Sequence, residues 1–123
     1  MTAGRNGGII VITIDESNNI EVSQYDTFSL RVNFSGGYTM AAGDRLRFAI
    51  KNTTNSTDVV YQKDFRNVGS TYVDVVIPKG ELNSLMADAY VYDITLINDT
   101  TGKIQTLIWS ASFIIRGVAH NVD

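Results

Sequence analysis

One stretch limits the fold more than any other. From Ala89 to Ile97, and again from Ile104 to Ile115, the chain is dense in β-branched and aromatic residues. Between the two runs stands Asn98-Asp99-Thr100-Thr101-Gly102-Lys103. Asn, Asp and Gly break strands and tolerate positive φ, so the segment predicts a long antiparallel hairpin. Two strands alone are marginal in water, so such a ribbon must sit within a larger sheet. It holds no recognisable catalytic constellation and therefore defines a fold class rather than a reaction.

The rest of the chain supplies that sheet. Residues 9–14 are a continuous β-branched run, which reads as a buried strand. Asp15 to Asn19 form a turn, and Ile20 and Val22 alternate with Glu21 and Ser23 as a short edge strand. Phe28, Leu30, Val32 and Phe34 share one face of the next strand, opposite Ser29, Arg31 and Asn33. One wet side is typical of an antiparallel sheet. Leu46, Phe48 and Ile50 repeat the pattern, and the polar run from Asn52 to Thr57 reads as an exposed hairpin loop. A strand follows over 58–65, with Val59, Tyr61 and Phe65 on one face. In the strand over 71–77, Val73, Val75 and Ile77 oppose Tyr72, Asp74 and Val76. Pro78 suits a first helical turn, and Leu82, Leu85 and Met86 at i, i+3 and i+4 predict one short helix near 79–86. Within the ribbon, Tyr90, Tyr92, Ile94 and Leu96 are assigned inward on the first arm. Leu107, Trp109, Ala111, Phe113 and Ile115 are assigned inward on the second.

Seven or eight strands with no βαβ rhythm predict an all-β fold, an antiparallel β-sandwich. At 123 residues it is read as one domain over 1–123, with flexible ends at 1–8 and 117–123. The 44% hydrophobic content argues against disorder. There is no cysteine, which excludes disulfides, thiolate zinc sites and a Cys nucleophile. A net charge of −3 with scattered Lys and Arg argues against nucleic-acid and anionic-membrane partners. The polar start of the chain does not read as a signal peptide.

Catalytic readings are thin. The lone histidine, His120, excludes a Ser-His-Asp triad or a multi-His metal site within one chain. Thirteen carboxylates leave a paired-carboxylate hydrolase open by count alone, although most flank turns, where Asp bonds the local backbone. Asp15 and Glu16 with Asn18 and Asn19 read as a turn before they read as a calcium loop. No catalytic residue, cofactor or metal is assigned. Asp93 stands out as a charge inside an apolar arm, and a cross-strand pair with Arg31, Arg45 or Arg47 is its simplest explanation. Tyr72 is expected at the surface. Val76, Val91, Ile97, Ile108 and Ile114 place apolar side chains opposite the assigned core, a pattern suited to a sheet covered by another subunit. The candidate interface is Tyr72, Val91, Asp93, Ile108 and Ile114. The rival reading is a carbohydrate-binding β-sandwich using Tyr72 and the 52–57 loop.

Four segments, in order, resemble one family. Gln24-Tyr25-Asp26-Thr27-Phe28-Ser29-Leu30-Arg31-Val32 is similar to its Gln-Gly-Asp-Thr-apolar-x-Leu-x-Val opening, with Tyr25 where Gly is usual. Gly43 to Lys51 is similar to its second main strand, and Val75-Val76-Ile77-Pro78 through Leu85 to its strand and helical turn. Tyr90-Val91-Tyr92-Asp93-Ile94, with Ala111-Ser112-Phe113-Ile114-Ile115, resembles its Tyr-x-Tyr-Asp-Ile strand and its closing strand, with Ala111 where Gly is common. The family is the immunoglobulin-like N-terminal domain of phage baseplate upper proteins and related phage and prophage tail structural proteins. The resemblance covers residues 20–116. It implies a non-enzymatic virion component, made in the bacterial cytoplasm, that assembles with other tail or baseplate proteins or with copies of itself.

Overall fold

The computed structural model describes residues 12–14, 18–82 and 84–117. The expected turn residues 15–17, the N-terminal half of the first predicted strand, the expected flexible end at 1–8 and the tail beyond 117 lie outside them. The described residues are all-β and form two sheets. Three strands make the smaller sheet: β1 (Ile12–Ile14), β3 (Phe28–Phe34) and β6 (Tyr72–Ile77), in the order β1-β3-β6. Five make the larger: β2 (Ile20–Ser23), β4 (Asp44–Lys51), β5 (Val59–Phe65), β7 (Asp88–Asn98) and β8 (Ile104–Arg116), in the order β2-β8-β7-β4-β5. All pairings are antiparallel except β2, which lies parallel to β8 with Ile20 opposite Phe113.

The arrangement is sandwich-like, because the inward faces of both sheets share one core. Leu30 and Val32 on β3, Val73 and Val75 on β6, and Leu46, Phe48 and Ile50 on β4 are all buried, as their alternation dictates. Four aromatic rings tie the sheets together. Phe28, from the smaller sheet, lies 5.6 Å from Phe113 and 6.0 Å from Phe48. Tyr92 lies 5.5 Å from Phe48 and 6.1 Å from Phe113. Edge and offset contacts at these distances add to the area that the rings bury. Tyr92 spends its polar tip on the carbonyl of Asn18 at 2.7 Å, and burial pushes its hydroxyl pKa up to about 12.

A buried carboxylate pins one end of the ribbon. Asp44 is only 2% exposed. It accepts from the Tyr38 hydroxyl, from the Ala41 nitrogen at 2.8 Å and from Asn98 Nδ2 at 2.8 Å. Burial first, and then the neighbouring Asp44 carboxylate, raises the Tyr38 pKa. The hairpin turn docks onto this corner through Asp99 N to the Gly43 carbonyl, 2.8 Å. A Cβ at Gly43 would run into the Thr100 side chain, so the close approach needs glycine there.

The predicted helix near 79–86 is not formed by the described residues. The described residues of this segment form separate turns, Glu81 N to Pro78 O and Leu85 N to Leu82 O. Gly80 has φ of +97°, outside the helical region, and this interrupts the backbone after Pro78. Leu82 is buried and Leu85 half-buried, but Met86 is 78% exposed. The apolar spacing therefore marks two anchors of a loop rather than one helical face.

Candidate functional site

The ribbon departs from simple alternation on its second arm. Tyr92 pairs with Ala111 and Ile94 with Ile108, so Asp93 faces both Trp109 and Ser110. Thr95 then pairs with Thr106, which leaves Leu107 as a second extra residue. Two bulges thus fall within four residues of β8. Each adds one residue to a strand whose side chains alternate with period two, so each flips the facing of the residues beyond it.

The consequence is an exchange of two side chains. Phe113, Ile115 and Ala111 pack inward as expected, but Trp109 does not: it is 64% exposed on the outer face. Ile108, assigned to the outer face, is 8% exposed and belongs to the core. It therefore leaves the candidate interface. Leu107 is half-buried against the core.

Asp93 organises the bulge. Its Oδ1 accepts from the Ser110 nitrogen at 2.6 Å, and Ser110 sits in the left-handed region with φ of 52°. Its Oδ2 lies 3.2 Å from Lys51 Nζ. The expected arginine partners are engaged elsewhere. Arg31 makes a two-point contact with Asp74 at 2.7 and 3.0 Å, while Arg45 and Arg47 converge on Asp64 at 2.6 and 2.9 Å. Arg47 and Arg45 hold the Asp64 carboxyl below the usual range, and Arg31 does the same for Asp74. Lys51 is largely buried, with its ammonium 5.7 Å from the centre of the Trp109 ring. The polar loop between β4 and β5 reaches the same place, as Ser110 Oγ donates to the Thr54 carbonyl at 3.4 Å.

The structure brings Val91, Asp93 and Ile114 onto one surface, the outer face of the five-stranded sheet. Val91 pairs with Ser112 and Ile114 with Ala89, one and two steps along the ribbon from the bulge. Val91 and Ile114 are half-buried, and Ile104, at the far end of β8, is largely exposed. Tyr72 lies on the other sheet. Its ring is half-exposed, with the Arg31 guanidinium 4.0 Å over it. Among the described residues no group of three or more His, Cys, Asp and Glu is placed to hold a metal.

Sequence reasoning misses Lys51 and Ser110 and assigns Trp109 to the core. The available signal was Asp93 itself. A carboxylate in the middle of an apolar arm needs donors, and a bulged backbone nitrogen is one of the few a sheet provides. No protein-family model matches the chain, and no curated protein matches its sequence.

Proposed function

We propose that this chain is a non-enzymatic structural module of a phage or prophage virion. In this reading it is an immunoglobulin-like domain of the tail or baseplate kind, made in the bacterial cytoplasm and built into the particle. It acts by packing the outer face of its larger sheet against other tail or baseplate proteins or against copies of itself.

Four features support the immunoglobulin-like part. The sheet orders are compatible with that plan if β4, β7 and β8 are taken as its C, F and G strands and β3 and β6 as its B and E. The Tyr90 hydroxyl donates to the Met86 carbonyl at 2.8 Å, four residues upstream at the corner leading into β7. This is the contact of a tyrosine corner. Tyr25, where the resembling family has Gly, has φ of 76° at the turn closed by Asp26 N to Ser23 O. That is the conformation a glycine would favour. The cluster of Phe28, Phe48, Tyr92 and Phe113 joins the two sheets, as a disulfide and a Trp do in antibody domains.

The observation that carries the assembly role is the outer face of β7 and β8. Val91, Ile114 and Ile104 offer apolar surface there, on the β7–β8 pair of the larger sheet. Apolar surface on an outer sheet face suits a protein contact. Analytical ultracentrifugation tests this, with the chain alone and mixed with any tail or baseplate proteins that its neighbouring genes encode. Association that Ile114→Asp abolishes without unfolding the chain is expected. A strict monomer at high concentration that also ignores every neighbouring tail protein would overturn the reading.

A further inference from the structure

We propose that Trp109 and the bulge beneath it form a binding site for a neutral carbohydrate. Such a site does not depend on the assembly role.

The ring is presented rather than left over. It projects from β8 at the bulge against β7, where the Ser110 nitrogen is tied to Asp93, while β2 pairs with β8 further along, at Phe113 to Arg116. The Asp93 carboxylate holds the bulge, and the Lys51 ammonium lies toward one face of the indole. Trp109 is 64% exposed, so most of the side chain is open to solvent. An aromatic face held rigidly costs little conformational entropy when a ligand stacks on it.

The surroundings decide the ligand class. Lys51 lies over the ring, and the groups that hold the bulge are polar as well: Asp93 meets Lys51 and the Ser110 nitrogen, and the Ser110 hydroxyl meets the Thr54 carbonyl. Beside them runs the loop Asn52-Thr53-Thr54-Asn55-Ser56-Thr57, which carries amides and hydroxyls and no charge. A protein hot spot would call for a more apolar, desolvated pocket around its anchor. Lys51 and Asp93 neutralise each other at 3.2 Å, so the site offers no net charge to an ionic ligand. An exposed aromatic ring with neutral donors and acceptors at its rim matches a sugar ring, which has an apolar C–H face and hydroxyls at its edge.

Trp109 is the only tryptophan in the chain, so intrinsic tryptophan fluorescence reports on this site alone. The full chain is titrated with soluble neutral oligosaccharides, namely linear glucans, galactose-containing chains and N-acetylglucosamine oligomers, and followed by fluorescence and calorimetry. At least one class should shift the emission saturably. Trp109→Phe should weaken binding, and Trp109→Ala should weaken it at least about tenfold while keeping the wild-type unfolding transition. No saturable response to any class at millimolar sugar would overturn the proposal. So would binding that survives Trp109→Ala. Loss of protein association in Trp109→Ala, with no sugar response in the wild type, would assign the ring to a protein contact instead.

Discussion

Asp93 Oδ1 and the backbone nitrogen of Ser110 are joined by a 2.6 Å hydrogen bond across the central strands of the larger sheet. A regular ladder would place one residue opposite Asp93; here there are two. The carboxylate takes the place of a ladder carbonyl and satisfies a nitrogen that the bulge displaces. Its other oxygen meets Lys51. One side chain therefore sets the register of β8, and with it the exchange that turns Trp109 outward and Ile108 inward.

Asp93→Ala should be destabilising well beyond an ordinary surface change. It leaves the Ser110 nitrogen and the largely buried Lys51 ammonium without their partner. A loss of about 2–3 kcal/mol is expected, read from urea unfolding at neutral pH. A change within about 0.5 kcal/mol, the range of unremarkable surface sites, would show that the bulge stands without the carboxylate.

Ile108 and Trp109 should respond in opposite ways. Ile108→Asp places a charge in the core and should cost more than about 3 kcal/mol or prevent folding. Trp109→Ala should cost no more than about 1 kcal/mol. Thermal unfolding of the two variants side by side checks the exchange, and the reverse ranking would restore the simple alternation.

Much of the fold was legible, for a physical reason. On β3 only one phase of the alternation is apolar, and on β4 and β6 the other phase is mainly polar, with Ala49 and Val76 the apolar exceptions, so the buried face identifies itself. On β8 both phases are apolar: Ile104, Ile108 and Ile114 stand on one parity, and Leu107, Trp109 and Phe113 on the other. Period two then carries no phase, and an inserted residue leaves no trace in the pattern. The helix expected near 79–86 is a similar case. Leu82, Leu85 and Met86 have helical spacing, but Gly80 takes a backbone conformation that the spacing cannot report. Val91, Asp93 and Ile114 were found on their common face because β7, and β8 beyond the bulges, alternate regularly.

Tyr25→Gly should stabilise the chain. A left-handed non-glycine residue costs about 1–2 kcal/mol, and the added freedom of glycine in the unfolded chain returns about 0.5–1 kcal/mol of that. A net gain of about 0.5–1 kcal/mol is expected in urea unfolding. A loss would show that the half-buried Tyr25 ring contributes more through packing than its backbone conformation costs.

Acid should weaken the sheet through its ion pairs. Asp64 and Asp74 sit below their ordinary value of 3.8 in the folded chain, held there chiefly by Arg47 and Arg31. The unfolded chain therefore binds protons first. The stabilisation is fully present above the ordinary carboxylate range and is lost as pH falls through the lower, folded values. The stability gap between the wild type and Asp64→Asn/Asp74→Asn should be larger at about pH 6 than at about pH 3. A gap that is constant or grows in acid would contradict the pairing.

Paired bulges turn the chain's only tryptophan out of the core, and quenching of its fluorescence tests this most directly. In the native chain the emission should lie close to that of the urea-unfolded chain, and iodide should quench both to a similar degree. A native emission shifted strongly to the blue and resistant to iodide would place Trp109 in the core and contradict the exchange.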